Sequence, residues 1–184
     1  MIITTALQDI FLSIPSLVYL LLPAYIANMA PVLSRPWFKH LAIPIDNNRW
    51  WQGQPLFGNH KTWRGILVGI AAAIFVALLQ SILTPTTQYA NYERAWLLIG
   101  IAMGLGALGG DLIKSFFKRR QGFPPGARWI PWDQIDFVIG ALIFITPLVH
   151  ITLTNEITIL IGSFLGHVVV NRIGYLLEIK ETPW

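Results

Sequence analysis

The sequence predicts an all-α integral membrane protein, a bundle of about five transmembrane helices with two cytoplasmic loops that form a polar site. Of its 184 residues, 54% are hydrophobic and only 12% are charged, whereas about a quarter of a soluble domain is charged. The apolar residues also fall in long blocks, which is typical of membrane spans. Because the chain has no cysteine, disulfides and thiolate metal sites are excluded.

Five apolar blocks are long enough to cross about 30 Å of hydrocarbon at about 1.5 Å per residue. The expected spans are residues 10–33, 65–83, 95–117, 135–151 and 157–177. The sequence shows no internal repeat, low-complexity tract or second soluble domain. Residues 1–184 are therefore expected to form a single membrane domain.

The basic residues are distributed unevenly between the two sides of the membrane. With five spans, the first loop, the third loop and the C-terminus share one side, and this side holds every one of the 13 Lys and Arg residues except Arg94. Cytoplasmic loops are enriched in Lys and Arg. We therefore expect a multi-pass plasma-membrane protein whose N-terminus is outside and whose C-terminus is cytoplasmic. The net charge of +4 then reflects loops and anionic ligands, and we expect no nucleic-acid partner.

Polar residues share one helical face at the end of the third span. Asp111, Lys114, Ser115 and Lys118 stand at i, i+3, i+4 and i+7, and these positions lie on the same side of a helix. Placing a charge near the bilayer centre costs roughly 2.5–3.5 kcal/mol on insertion scales. A carboxylate, two ammonium groups and a hydroxyl at the membrane edge therefore indicate a functional site.

The fourth span begins with a second acidic pair, Asp133 and Asp136, at i and i+3. Together with Asp111, these carboxylates are expected to converge on one Mg²⁺, which takes carboxylate and phosphate oxygens. The surrounding cations suit phosphate groups: Lys114, Lys118, Arg119, Arg120 and Arg128. The alternative is that the cations only set the topology and meet lipid headgroups while Asp133 caps a helix, but that leaves Asp111 unexplained.

The first loop ends in a segment that resembles an anion-binding helix start. Lys61, Thr62 and Arg64 directly precede or open the second span, close to Gly58 and Gly65, and helix N-termini attract phosphates. The GxxxxGK[ST] spacing of a P-loop is missing. Topology places this segment on the side of the acidic cluster, where it forms a second wall. The alternative is that this segment is only the end of a loop, and that its Lys and Arg residues serve only to set the membrane topology.

Other polar and small residues within the spans are expected to serve helix packing. Asn28, Gln80, His167 and Asn171 are expected to form hydrogen bonds between helices. Close helix packing is also predicted for the glycines of the third span, which are Gly100, Gly104, Gly106, Gly109 and Gly110.

The segment from Asp111 to Asp136 resembles the signature of membrane CTP transferases, the phosphatidate cytidylyltransferase superfamily. The shared pattern is a Ser, a Lys-Arg pair and Asp-x-x-Asp, here Ser115, Lys118-Arg119 and Asp133 to Asp136. The linker lacks the Lys-Asp and His-Gly-Gly of the common bacterial form, and the last motif reads Asp-Gln-x-Asp instead of Asp-Arg-x-Asp.

In these departures from the bacterial form, the chain resembles the smaller CDP-archaeol synthase family. Its Gly-Asp, Lys-Ser-Phe, Lys-Arg-Arg and Asp-Gln-x-Asp-Phe motifs all occur here, as does its upstream Gly-x-x-Lys-Thr-Trp-Arg-Gly. The resemblance implies a CTP-dependent nucleotidyltransferase of phospholipid biosynthesis, which needs Mg²⁺ and produces a CDP-activated lipid and pyrophosphate. The implied lipid is an unsaturated archaeal ether phosphate, bis-geranylgeranyl-glycerol phosphate.

Together, the residues and the resemblance suggest roles for the individual side chains. The expected catalytic residues are Asp111, Lys114, Lys118, Asp133 and Asp136, and the expected magnesium ligands are Asp111, Asp133 and Asp136. The residues expected to bind CTP are Lys61, Thr62, Arg64, Lys114, Ser115, Lys118 and Arg119. No Ser or Cys nucleophile is needed, because the lipid phosphate is itself an oxyanion.

Three alternatives remain open at this stage. Two are enzymes with similar needs: a phosphatidate cytidylyltransferase that acts on ester lipids, and a CTP-dependent polyprenol kinase. The third is a small transporter or scaffold, although transport predicts polar residues through the midplane of several spans and the charges here gather at one face. No residue distinguishes ether from ester lipids, and the oligomeric state is open, with a homodimer as one option.

Overall fold

The computed structural model describes residues 2–84, 86–124 and 127–178, and it gives residues 2–12 by backbone alone. The tail residue Lys180, which contributed to the expected charge asymmetry, lies outside these ranges. The described chain contains five α-helices: α1 (Ile2–Leu33), α2 (Trp63–Leu83), α3 (Tyr92–Arg120), α4 (Trp132–Ile145) and α5 (Leu153–Leu176). The predicted all-helical membrane architecture is therefore confirmed.

Four of these helices are long and apolar enough to cross a membrane, namely Ser13–Leu33, Trp63–Leu83, Tyr92–Arg120 and Leu153–Ile173. Helix α4 is shorter than expected. It has 14 residues, which cover about 21 Å at about 1.5 Å per residue, and it ends at Ile145 instead of Ile151. Pro147 explains the early end, because proline lacks the N–H that would continue the helix and its ring clashes with the preceding turn.

Helix α3 lies at the centre of the bundle and packs against α1, α2 and α4, while α5 packs against α1 and α4. The core contains fully buried side chains from three helices, including Leu20, Met103 and Val138. The outward faces carry large exposed apolar residues such as Ile82 and Leu153. An apolar exterior around a buried helical core is the distribution expected of a bundle whose outer face meets lipid.

The backbones of α3 and α4 touch at a glycine contact. A Cβ atom built at Gly110 would lie 2.2 Å from the carbonyl oxygen of Asp136, and one at Gly140 would lie 2.0 Å from that of Gly106. Any side chain at these two positions would push the helices apart. Small residues at a helix interface therefore allow the two backbones to approach this closely. Gly109 is different, since a Cβ there would meet nothing within 4 Å.

The expected packing also holds on the α2 side of α3. A Cβ atom at Gly100 would lie 2.6 Å from the Cα of Ile74, so this glycine too lies against a neighbouring backbone. Gln80 makes the predicted contact between helices, because its Nε2 donates to the carbonyl oxygen of Tyr19 at 2.6 Å.

The other three polar residues expected to form such bonds are His167, Asn171 and Asn28. His167 Nδ1 and Asn171 Nδ2 lie 3.0 Å apart within α5 itself. Asn28 lines a cavity and forms no hydrogen bond with any residue that the structure describes. The expectation of a hydrogen bond between helices therefore fails for Asn28.

The first loop, residues 34–62, folds as a compact cap on one end of the bundle. It contains a 3-10 turn (Lys39–Leu41) and a hairpin of β1 (Trp50–Trp51) and β2 (Gln54–Pro55). Asp46, only 6% exposed, organises the loop, since its carboxylate accepts the backbone N–H groups of Asn48 and Phe57 at 3.0 Å and of Gly58 at 3.4 Å. A carboxylate that satisfies several backbone donors holds a loop in one conformation.

Candidate active site

The glycine contact brings the polar end of α3 against the first turns of α4. As a result, the ammonium of Lys114 lies among three carboxylates. Its Nζ is 3.3 Å from Asp111 Oδ1, 3.0 Å from Asp133 Oδ1 and 2.9 Å from Asp136 Oδ2. The three acids therefore lie together, but they surround a lysine ammonium, and their convergence on Mg²⁺ stays a prediction.

Asp133 is also paired with a second lysine of α3. Lys118 Nζ donates to both carboxylate oxygens of Asp133, at 2.8 Å and 2.7 Å, and the backbone N–H of Trp129 donates to Oδ2 at 2.6 Å. Asp133 lies in the first turn of α4, before the apolar run. Burial raises the pKa of Asp133, but the hydrogen bonds from Lys118 and the charge of Lys114 outweigh burial, so this pKa lies below its ordinary value. Asp133 is therefore ionised at neutral pH.

The first loop contributes Lys61, which forms an ion pair with Asp111 Oδ2. The backbone of Lys61 is fixed on both sides, since its carbonyl accepts the N–H of Ile45 at 2.9 Å and its own N–H donates to Gly58 O at 3.1 Å. The expected second wall of the site is therefore in contact with α3.

These pairs form one balanced network of three lysines and three carboxylates, made of Lys61, Lys114, Lys118, Asp111, Asp133 and Asp136. Two buried groups at the site have polar atoms that form no directed hydrogen bond with a described residue. Arg119 is 6% exposed, and its Nε and Nη1 have no hydrogen-bond partner in the described part of the chain. Asp136 Oδ2 lies close to Lys114, yet it receives no directed hydrogen bond from any described residue. Buried polar groups are rarely left without a hydrogen bond, so the free donors of Arg119 suit an anion.

A cavity of about 640 Å³ opens beside this network. Most of the predicted site residues line it: Lys61, Thr62, Arg64, Asp111, Lys114, Asp133 and Asp136. The predicted residues Ser115, Lys118 and Arg119 do not. The hydroxyl of Ser115 donates to the carbonyl oxygen of Asp111 at 2.7 Å, so its proton is already bound within α3.

Thr62 and Arg64 each have a structural contact as well as a place at the cavity. Thr62 caps α2, because its Oγ1 accepts the backbone N–H of Gly65 at 3.2 Å. Arg64 Nη1 donates to the carbonyl oxygens of Arg35 at 3.0 Å and Trp37 at 3.3 Å. These contacts join the end of α1 to the start of α2 at the edge of the cavity.

Sequence reasoning missed the contact made by Arg120. Its guanidinium donates to the carbonyl oxygens of Trp51, Gln54 and Pro55, and it lies 5.1 Å from the ring centre of Phe116. Arg120 therefore holds the hairpin of the first loop against the end of α3. Only the Lys-Arg-Arg motif signalled this residue. Successive helical residues point about 100° apart, so Arg119 and Arg120 reach different surroundings.

Lysines and carboxylates beside a cavity, at one end of a membrane bundle, are the groups that bind phosphates and offset their charge. The fold and this site together define a membrane enzyme of phosphoryl or nucleotidyl transfer. Residues 8–184 match the family described as CarS-like: CDP-archaeol synthase. The chain belongs to the CDP-archaeol synthase family, which confirms the predicted family and the predicted enzyme class, a CTP-dependent membrane nucleotidyltransferase of lipid biosynthesis.

Similar proteins and a similar structure cover most of the chain. The CDP-archaeol synthase of Thermococcus onnurineus is 39% identical over 165 residues, which are 89% of this chain and 93% of that protein. The CDP-archaeol synthase of Pyrococcus furiosus is 38% identical over 166 residues, 89% of this chain and 94% of that one. A solved structure described as an intramembrane enzyme for archaeal membrane lipids biosynthesis superposes with a TM-score of 0.73 at 31% identity, covering 84% of this chain and 91% of its own.

Proposed function

We propose that this protein transfers the cytidylyl group of CTP to the phosphate of a membrane ether lipid, yielding a CDP-activated lipid of the CDP-archaeol type and pyrophosphate. A lipid phosphate oxygen attacks the α-phosphorus, and the bond from that phosphorus to the bridging oxygen of the β-phosphate breaks. The attacking oxygen is already anionic, so no general base is required. The observation that carries this proposal is the convergence of three carboxylates on Lys114 at the edge of the cavity.

We infer that Mg²⁺ binds among Asp111, Asp133 and Asp136. The donor set fits this ion, because Mg²⁺ usually takes one or two carboxylates together with substrate phosphates, and the buried Oδ2 of Asp136 has no directed hydrogen bond. Among the described residues, no three acidic or histidine side chains are placed so that they could hold one metal ion together. A Mg²⁺ ion held by two carboxylates and by phosphate oxygens of the substrate therefore fits the site better than an ion held by three carboxylates. When bound, the ion would offset the charge on the phosphates.

The lysines and Arg119 counter the charge of the triphosphate. Lysine carries its charge on a flexible stem, so Lys61, Lys114 and Lys118 can turn from carboxylates towards phosphate oxygens. Arg119 offers a planar fork that suits two phosphate oxygens at once, and its buried Nε and Nη1 have no partner among the described residues. These groups stabilise pyrophosphate as it leaves. Ser115 holds the backbone under Asp111 instead of reaching the nucleotide.

We propose a plasma-membrane orientation that places this site in the cytoplasm, where CTP is available. Its support is the side preference of Lys and Arg in the sequence, and it puts the N-terminus outside and the C-terminus inside. A C-terminal reporter enzyme active only in the cytoplasm is expected to be active. Activity of an extracytoplasmic reporter fused at the same place would contradict this orientation.

The position of the label in the product tests the proposed reaction. Purified protein is given Mg²⁺, an ether lipid phosphate and CTP labelled at the cytidine, the α-phosphate or the γ-phosphate. We expect cytidine and α-phosphate label in the lipid and γ-phosphate label in pyrophosphate. Label from the γ-phosphate in the lipid would indicate a kinase instead. A parallel assay with the matching ester lipid tests the preference for ether linkages.

The hairpin contact of Arg120 yields a prediction about CTP binding. Replacing Arg120 with glutamine removes the charged donors that hold the hairpin, so the wall that carries Lys61 loosens. We expect the KM for CTP to rise about three- to tenfold, the size of one or two lost hydrogen bonds. Steady-state kinetics measure the change.

A double-mutant cycle separates this role from a general loss of stability. If Arg120 acts through Lys61, adding Arg120→Gln to a Lys61→Ala enzyme should change the KM for CTP very little further. The matched control is Arg49→Gln, an exposed arginine of the same loop that does not line the cavity. Additive effects of Arg120→Gln and Lys61→Ala would show that Arg120 does not position Lys61.

A further inference from the structure

The segment that follows the first membrane span carries large apolar side chains on its surface. Helix α1 ends at Leu33, and shortly after it Trp37 is 63% exposed and Phe38 is 55% exposed. Lys39 is exposed beside them, and none of these three residues lines the cavity. We call Trp37, Phe38 and Lys39 the aromatic turn. Adjacent exposed aromatic side chains form an apolar patch, and such patches mark contact surfaces.

The backbone of the aromatic turn is held against the bundle, so the exposure of its side chains is not that of a loose loop. Arg64 Nη1 donates to the carbonyl oxygen of Trp37 at 3.3 Å. The N–H of Trp37 donates to Ser34 O at 3.0 Å, and that of Leu41 donates to Phe38 O at 2.9 Å. Phe38 has a φ of 50°, a left-handed conformation that is uncommon for a bulky residue. An exposed ring on a strained backbone adds little packing, so the fold alone does not explain it.

The charge around the aromatic turn has one sign. Residues 10–45 contain no Asp or Glu, and Lys39 forms no ion pair with any described residue. The next acid along the chain, Asp46, is buried, and its carboxylate accepts backbone N–H groups. A lysine near a membrane surface is attracted by anionic lipid headgroups. The charge of the aromatic turn is therefore complementary to an anionic headgroup layer.

The aromatic turn also continues the outer apolar side of α1. Met29, Val32 and Leu33 are 52%, 55% and 62% exposed in the last turns of that helix, and the first candidate membrane span ends at Leu33. Trp37 follows four residues later, where hydrocarbon gives way to headgroups. Tryptophan is enriched at this interface, and the stem of a lysine lies along apolar surface while its ammonium stays in the polar layer. The turn therefore has the position and the residues of an interfacial contact.

We propose that the aromatic turn is an anchor that binds the anionic headgroup layer of the bilayer. The rings of Trp37 and Phe38 lie at the interface, and the ammonium of Lys39 contacts lipid phosphates. A protein partner is the other class of occupant for an exposed aromatic pair, but the lack of acids and the place beside a lipid-facing helix favour the bilayer. The anchor lies outside the cavity and fixes the start of the first loop at the membrane surface. Its test requires no substrate and no turnover.

A fluorescent probe beside the aromatic turn tests the anchor in the purified full-length protein. The chain has no cysteine, so His40→Cys, at an exposed position, provides a single labelling site. The labelled protein is placed in nanodiscs of phosphatidylcholine that contain a minor share of phosphatidylglycerol. We expect doxyl-labelled phosphatidylglycerol to quench the probe more strongly than doxyl-labelled phosphatidylcholine, and aqueous iodide to quench it weakly. Strong quenching by iodide with weak quenching by both lipids would overturn the anchor and favour a protein partner.

Variants of the turn identify the groups that bind the headgroups. Lys39→Gln should lower the preference for phosphatidylglycerol about fivefold, the attraction typical of one lysine at an anionic surface. Arg49→Gln, an exposed arginine of the same loop, is the matched control and should leave the preference unchanged. Equal effects of these two variants, or no effect of Lys39→Gln, would overturn the assignment of Lys39.

The left-handed backbone provides a variant that removes a ring without disturbing the fold. Glycine adopts this conformation readily, so Phe38→Gly should keep the thermal midpoint of the wild type. We expect the probe at position 40 to lose its shielding from iodide in this variant, because the ring no longer holds the turn at the interface. A Phe38→Gly protein with a wild-type midpoint and unchanged iodide quenching would overturn the role of the aromatic pair in the anchor.

Discussion

Replacing Asp136 with asparagine is expected to lower kcat for cytidylyl transfer by about 10²–10³-fold, the loss typical of removing one electrostatic group that acts on a transition state. The side chain of Asp136 is only 6% exposed and lies 2.9 Å from Lys114 Nζ. Asparagine keeps the shape and removes the charge. The site then loses a candidate magnesium ligand, and Lys114 loses one of its three carboxylates. Initial rates with labelled CTP measure the effect.

A second acidic residue provides the control for Asp136. Glu156 lies in the first turn of α5, where an exposed contact of 3.4 Å joins it to the hydroxyl of Thr146. Glu156→Gln removes the same charge from the chain and should leave kcat within about twofold, since exposed contacts contribute little. The thermal midpoint of both variants should be recorded in detergent. An Asp136→Asn enzyme that folds and keeps a rate close to that of the wild type would remove Asp136 from the catalytic set.

Replacing Gly110 with alanine is expected to destabilise the protein and abolish turnover together. The added Cβ would lie 2.2 Å from the carbonyl oxygen of Asp136, so α3 and α4 must move apart. Overpacking of this kind costs about 1–3 kcal/mol. The shift would also increase the distances from Lys114 to Asp133 and Asp136, on which the site depends. Gly140→Ala should act in the same way from the opposite helix.

The neighbouring glycine makes the test specific. A Cβ at Gly109 would meet nothing within 4 Å, and alanine favours a helix over glycine by about 1 kcal/mol. We therefore expect Gly109→Ala to match or exceed the wild type in thermal stability and to retain activity. If Gly109→Ala and Gly110→Ala lowered the thermal midpoint and the rate equally, the close contact of α3 with α4 would not explain the effect.

Much of the fold follows from local patterns in the sequence. Long apolar runs predicted the helices, because a chain in lipid must satisfy its backbone hydrogen bonds internally. The prediction for the fourth span placed its end at Ile151, while Pro147 ends α4 at Ile145. A hydropathy pattern does not reveal that a proline lacks the N–H needed to continue a helix. The proline itself was visible in the sequence.

The candidate site was predictable where its geometry is local. Helical periodicity placed Asp111, Lys114 and Lys118 on one face, and these side chains do take part in one ion-pair network. The same periodicity placed Ser115 there, but its hydroxyl donates to a backbone carbonyl one turn earlier. In any helix a serine hydroxyl can donate to a backbone carbonyl one turn earlier. The spacing alone therefore could not show whether Ser115 binds the nucleotide or the backbone.

By itself, the sequence determined that the chain is a helical membrane protein, which residues carry charge at the membrane edge, and which family motifs they form. These are properties of composition and of neighbours within two helical turns. Only the tertiary structure decided that Lys114 lies among three acids, that Arg120 holds a hairpin while the buried Nε and Nη1 of Arg119 have no partner among the described residues, and that Arg35 lines the cavity. Each of these depends on which distant backbones approach one another, and for α3 and α4 that approach is set by glycines that let the two helices touch.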